Sequence, residues 1–216
     1  MRLPLFAITL CVATGVLAQA PYALVVHPSV PARTVKELVA LAQSKPGALN
    51  YASAGTGAAS YFAGETFKDR ARINVTHVPY RGGGPALTAV LAGEVSVYFA
   101  PVAAASPYFG NRLRLLAVST QQRLPLMPNV PTVAEAGYAG YESGNWYGLL
   151  LPVGAPGGVV TALHRAGITA LGKVNKRLTE LAYITIGSSP AEYAAYVATE
   201  VKNTAATYQR LGLKPN

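Results

Sequence analysis

Two glycine-bearing stretches hold most of this chain's capacity for chemistry. One is Asn50-Tyr-Ala-Ser-Ala-Gly-Thr-Gly-Ala-Ala-Ser60 and the other is Thr76-His-Val-Pro-Tyr-Arg-Gly-Gly-Gly-Pro-Ala86. Each follows a short β-type run and opens a helical one, so backbone N–H groups are left at a helix start without an intrahelical acceptor. Such groups can hold an anion. Gly82, Gly83 and Gly84 let the backbone approach a ligand closely, and Pro85 suits a first helical position, where its missing N–H costs nothing. Two such turns within residues 49–92 point to one lobe of a cleft for a small anion. A glycine turn is also the ordinary join between a strand and a helix, and local geometry leaves both readings open.

Other chemistry is scarce. Ala52-Ser-Ala-Gly55 does not match the Gly-x-Ser-x-Gly of a nucleophile elbow. Gly55-Thr-Gly57 lacks the lysine of a P-loop and the third glycine of a dinucleotide fingerprint. His27, His77 and His164 fall on two strand candidates and a helix candidate, without a paired carboxylate or metal-ligand spacing, and read as structural. Asp69 is the only aspartate, and few glutamates fall near the glycine turns. A centre poor in acids and bases but rich in backbone donors reads as a binding site, with no enzymatic activity, cofactor or metal expected.

Composition agrees with that. Of 216 residues, 51% are hydrophobic and 12% charged, which excludes a disordered tail. The formal net charge is +9, yet Lys and Arg are scattered, with neither a basic block nor an aromatic-interleaved basic stripe. Nucleic acid is therefore not an expected partner. A diffuse positive field suits steering small carboxylates, or serves solubility.

The elements that must position the turns alternate along the chain. Residues 1–18 read as an export signal: Met1-Arg2, an apolar run from Leu3 to Val16 too short to span a bilayer, then small residues. Cleavage after Ala18 fits better than after Ala20, where Pro21 would hinder a peptidase. The competing reading is an uncleaved buried strand. Cys11, the single cysteine, would leave with the signal.

Tyr22–His27 is a strand candidate, and Thr34-Val-Lys-Glu37 is a capping box that starts a helix. The two central strand–helix units follow, over 49–70 and 73–92. Strand candidates at 95–100 and 113–119 flank an alanine-rich helical stretch. Thr132-Val-Ala-Glu135 caps a short helix that Gly137 ends. A strand covers 141–151, a helix 159–174, and Ser189-Pro-Ala-Glu192 launches a last helix from Tyr193. This alternation implies an α/β fold with a mostly parallel sheet covered on both faces.

Six segments together resemble the extracytoplasmic solute receptors of tripartite tricarboxylate transporters, the Bug-type family. They are Tyr22-Ala-Leu-Val-Val-His-Pro-Ser-Val-Pro-Ala32, Lys45-Pro-Gly-Ala-Leu-Asn-Tyr-Ala-Ser-Ala-Gly-Thr-Gly57, Val78-Pro-Tyr-Arg-Gly-Gly-Gly-Pro-Ala86, Phe99-Ala-Pro-Val102, Leu126-Met-Pro-Asn-Val-Pro-Thr-Val-Ala-Glu-Ala-Gly137 and Trp146-Tyr-Gly-Leu-Leu150. The resemblance covers nearly everything from Tyr22 to Pro215. It implies a type II-like periplasmic binding protein of two α/β lobes, holding a small carboxylate and delivering it to membrane permease subunits.

In such receptors, backbone amides and small polar side chains of strand-to-helix loops meet the ligand. Carried over here, those positions are Ser53, Gly55, Thr56, Gly57 and Ser60 in the first turn, and Tyr80, Gly82, Gly83 and Gly84 in the second. Pro101 lines the same cleft. The glycines also serve turn geometry, and Ser53 and Thr56 could equally cap the helix after them.

The chain departs from the family in two places. Between the signal and Tyr22 there is no room for most of a first lobe, with its Pro-Gly-Gly-type and Asn-Arg-Pro-Gly loops. The segment between Val174 and Ile186 also looks shortened. The chain thus reads as one complete second lobe, 22–141, followed by a return segment and a C-terminal helical remnant of the first lobe, 142–216. Two other classes fit parts of the pattern, a receptor fragment without transport function and the effector domain of a transcription regulator. The signal-like start and the lack of a helix-turn-helix argue against the regulator.

Overall fold

The computed structural model describes residues 11–210 and Gly212. The start of the segment read as an export signal, residues 1–10, lies outside the described residues. The rest falls into two compact units, one of Ala20–Asn145 and one of the residues up to Gln19 with those from Trp146 onward.

The Ala20–Asn145 unit is built on strands β1 (Cys11–Val26, its second half), β2 (Asn50–Ser53), β3 (Thr76–Pro79), β4 (Val97–Pro101) and β5 (Arg114–Val118), in the order β3-β2-β4-β1-β5. Strand β2 pairs parallel with β3 and β4, while β1 pairs antiparallel with β4 and β5. Four of these five strands run the same way, as expected of a mostly parallel sheet, and β1, between β4 and β5, runs against them. Ala23, Leu24, Val25 and Val26 have no exposed surface, because a central strand between two layers is covered on both faces.

Helices α1 (Val35–Ser44), α2 (Ala59–Ala71), α3 (Gly83–Leu91) and the short α4 (Val102–Ala105) join these strands, with one 3₁₀ turn at Ser106–Tyr108. Helix α1 starts where the capping box predicts: the Glu37 amide donates to Thr34 Oγ1 at 3.1 Å, and the Arg33 amide donates to Glu37 Oε2. Helix α3 begins two residues earlier than expected, so Pro85 is its third residue. That remains harmless, since the first four amides of a helix lack internal partners.

The core of this unit centres on aromatics from separate elements. Phe67 of α2 meets Phe99 of β4 edge-on with ring centroids 5.7 Å apart, and it also meets Tyr138 and Tyr141. Tyr141 is fully buried and donates its hydroxyl to the Ala63 carbonyl at 2.9 Å. Each such buried side chain contributes about 1.5–3 kcal/mol.

The short helix expected after Thr132 is a set of turns instead. Its capping pair forms, with Thr132 N donating to Glu135 Oε2 and Glu135 N to Thr132 Oγ1. Gly137, at φ +115°, turns the chain before a helix can propagate.

The second unit holds the first half of β1, β6 (Gly144–Pro152), α5 (Gly157–Glu180), β7 (Ile184–Thr185) and α6 (Pro190–Arg210). Strand β1 was expected to start at Tyr22 but begins at Cys11. Its first half pairs with β7, Ala18 facing Thr185 and Gln19 facing Ile184. Thr14 is buried, donates its hydroxyl to the Leu149 carbonyl at 2.7 Å, and receives His164 Nδ1 at its own carbonyl at 2.8 Å. Helix α5 runs six residues past the expected end, leaving room for a strand of only two residues. Helix α6 opens on its predicted cap, the Ser189 amide donating to Glu192 Oε2. Tyr193 is fully buried against Trp146, with centroids 5.8 Å apart.

Candidate functional site

Both glycine turns emerge at the carboxyl ends of adjacent parallel strands. Ser53, the last residue of β2, lies in register with Pro79, the last of β3. Crevices outside the carboxyl ends of strands are where open α/β sheets bind ligands. Two backbone bonds fasten the turns together: Tyr80 N to the Ser53 carbonyl at 3.0 Å and Gly82 N to the Ala54 carbonyl at 3.1 Å. Gly55 takes φ +123°, and a Cβ there would approach the Tyr80 carbonyl to 3.3 Å. The close passage of the second turn therefore favours glycine at 55.

Around this junction the backbone N–H groups of Thr56, Gly57, Ala59, Ser60, Gly83 and Gly84 find no acceptor among the described residues. Neither α2, with Ala58 at its N-cap, nor α3, with Gly82 there, has a side-chain cap. The amides of both first turns thus remain available, with the positive end of each helix dipole behind them.

The serines are engaged in the architecture of the turns. Ser53 has no exposed surface; its Oγ accepts from the Gly55 amide at 3.1 Å and lies 2.7 Å from His77 Nε2. Ser60 Oγ reaches back to accept from the Ala54 amide at 3.0 Å and is also hydrogen-bonded to the Tyr98 hydroxyl. Neither Ser53 nor Thr56 caps α2, the role left open for them from the sequence. Thr56, Gly57 and Gly84 are exposed, while Tyr80, Gly82 and Gly83 are half-buried. Pro101 ends strand β4, in register with Tyr22, and has no N–H to offer. The structure therefore brings nine of the ten positions onto two interlocked turns, and places Pro101 at the end of the next strand.

Two further side chains support this junction: His77, read from the sequence as structural, and Tyr98, which the sequence does not single out. His77 packs on Tyr51 and Tyr61, with centroids at 4.9 and 4.7 Å. Burial holds its imidazole below the ordinary value, the Glu65 carboxylate opposes that shift and the Lys68 ammonium reinforces it. Tyr98 is buried and its hydroxyl is pushed up to about 12 by that burial, with the Ser60 bond acting in the opposite direction. At neutral pH Tyr98 is thus a neutral hydrogen-bonding group. No local sequence signal marks either residue, because each meets its partner on a separate element.

The chain matches the tripartite tricarboxylate transporter family receptor over residues 3–213. It belongs to that family. It is 34% identical over 189 residues to a UPF0065 protein of Pseudomonas sp. encoded in the tcbD-tcbE intergenic region, covering 86% of this chain and 56% of that one. It thus spans little more than half the length of that relative.

Among solved structures, R. palustris Rpa4515 with adipate superposes with a TM-score of 0.90 at 30% identity, over 96% of this chain and 70% of the other. MatC from Rhodopseudomonas palustris with bound malate gives 0.82 at 26% identity, over 93% and 74%. The periplasmic binding protein BugD gives 0.87 at 25%, over 95% and 71%. The α/β fold of this family member is therefore that of periplasmic binding proteins.

Proposed function

We propose that this receptor-family chain captures a small carboxylate at its paired glycine turns, for delivery to the membrane permease of a tripartite tricarboxylate transporter. The observation that carries the reading is the set of uncommitted amides, Thr56, Gly57, Ala59, Ser60, Gly83 and Gly84, at the ends of neighbouring strands β2 and β3. Preorganised N–H donors at helix starts suit carboxylate oxygens without needing an acid, a base or a metal.

Gly55, Thr56, Gly57, Gly82, Gly83 and Gly84 present backbone to the ligand in this reading. Ser53 and Ser60 shape the turn, while Tyr80 and Pro101 wall the cleft. The net charge of +9 favours the approach of an anion. Two relatives of this fold carry adipate and malate, dicarboxylates that the same donors could hold. A periplasmic site of action is part of this reading, supported by the likeness to the periplasmic binding protein BugD.

Calorimetric titration of the purified chain with adipate and with malate tests the proposal. Saturable binding of either, lost in Gly83→Val while circular dichroism is unchanged, is the expected result. An equal affinity in Gly83→Val would reduce the turns to connectors.

A further inference from the structure

We propose that His77 is a positioning residue for the carboxylate site, fixing the first glycine turn through the Ser53 hydroxyl only while its Nε2 is free of a proton. The inference rests on the binding role given above to the turns and adds a control on it. It starts from one hydroxyl hydrogen. Ser53 is fully buried, so that hydrogen must go to a protein acceptor. Oγ already accepts from the Gly55 amide at 3.1 Å, and His77 Nε2 stands 2.7 Å away. The chain of donors therefore runs Gly55 N–H to Ser53 Oγ, and Ser53 O–H to His77 Nε2, with the imidazole proton on Nδ1.

A second proton on Nε2 would set two hydrogens against each other between Nε2 and Oγ. Ser53 would then have to turn its hydrogen toward the Gly55 amide or into the core, and either choice loosens Gly55. Gly55 sits against the Tyr80 carbonyl, so the disturbance reaches both turns.

Burial and the Lys68 ammonium favour the neutral state, against the pull of the Glu65 carboxylate. Tyr51 and Tyr61 cover the ring; Tyr51 donates to Glu65 Oε1 at 2.6 Å, and Lys68 pairs with the same oxygen at 2.7 Å. Glu65 is thereby committed to two other donors. Burial lowers the histidine pKa below its ordinary value of 6.5. The neutral ring's contribution to stability is accordingly complete above that value and is lost as pH falls through the lowered one.

The test uses the full chain, with adipate and malate as probes, between about pH 8 and pH 5.5, each affinity being referred to the dianion of the probe because its second carboxyl takes up a proton near the acid end. Wild type should weaken progressively as pH falls below 6.5, toward a limit of roughly tenfold on full protonation, the scale of one hydrogen bond to a binding loop. His77→Gln keeps an acceptor near Nε2 without a titrating group, and should bind within about twofold of wild type with a flat pH profile. His77→Phe keeps the ring packing but no acceptor, and should bind roughly tenfold more weakly at every pH.

Protection of the Gly55 amide against exchange, read by NMR without any ligand and referred to the intrinsic exchange rate at each pH, should fall in wild type on acidification and in His77→Phe throughout. An unchanged acid dependence in His77→Gln, or a Gly55 amide indifferent to His77→Phe, would overturn the proposal. If neither probe binds wild type, the receptor reading fails, and the ligand-free Gly55 exchange still decides the role of His77.

Discussion

The Tyr98 hydroxyl lies 3.3 Å from the point where a Cβ on Gly83 would sit, and the same hydroxyl is hydrogen-bonded to Ser60. One buried side chain on β4 thus touches both glycine turns, which no pair of neighbours in the chain could do. A contact of that length is tight enough that Gly83→Ala must displace either the tyrosine or the turn. In a Tyr98→Phe background the same substitution meets no oxygen.

The first prediction is therefore a double-mutant cycle. Gly83→Ala should cost about 1–2 kcal/mol of stability in wild type and less in Tyr98→Phe, with a coupling of at least about 0.5 kcal/mol. Urea unfolding of the four proteins measures it. Additive costs would mean the two residues act independently.

A second prediction concerns Gly64 on α2. Its absent side chain makes room for the Tyr51 ring, which a Cβ there would overlap. The ring cannot easily withdraw, because Glu65 holds its hydroxyl and His77 its face. Gly64→Ala, ordinarily a gain inside a helix, should instead destabilise by about 1–3 kcal/mol, seen as a lower midpoint in denaturant. A neutral or stabilised variant would show that the helix can shift away.

Arg114 supports a third. From the start of β5 its guanidinium donates to three carbonyls of the loop before α1, those of Val30, Ala32 and Pro28, at 2.7, 3.0 and 3.2 Å. Of these, the Val30 carbonyl also accepts from the Ala32 amide at 2.8 Å; charge-assisted bonds are worth about 1.5–3 kcal/mol. Arg114→Met should lose that much in thermal unfolding. Arg114→Lys should recover only part, because an ammonium cannot span the same fork.

The fourth concerns residues 11–18, on which a cleaved leader and strand β1 make competing demands. A chain starting at Gln19 lacks Thr14, and with it the bonds to Leu149 and His164. It should melt below the full chain and expose protease sites in α5. Calorimetry with limited proteolysis checks the stability, and mass spectrometry of periplasmic extracts reads which N-terminus is present. Equal melting of the two chains would leave the first half of β1 without a stabilising role.

Features that depend on a few adjacent residues were legible in the sequence. The capping pairs Thr34–Glu37 and Ser189–Glu192, the two glycine turns and the strand–helix alternation around them all appear where expected. The family resemblance was carried by the same short motifs. Legibility stopped where an apolar run could serve two purposes. Leu3 to Val16 satisfies the hydropathy of an export signal, and residues 11–18 of the segment equally satisfy that of a strand; composition does not separate the two.

The sequence by itself determined that the turns would bear backbone donors, since glycine, a following helix and the lack of acids and bases are local facts. Only the tertiary structure decided that β1 runs backwards between β4 and β5, that Thr132–Gly137 stays a turn, and that His77 and Tyr98 brace the two loops. Those outcomes rest on contacts between separate elements, such as Ser53 with His77 and Gly83 with Tyr98. Residue order leaves such meetings open. Sheet register and the direction of a central strand fix them, because side chains alternate between faces and one step of register would send His77 to the opposite side.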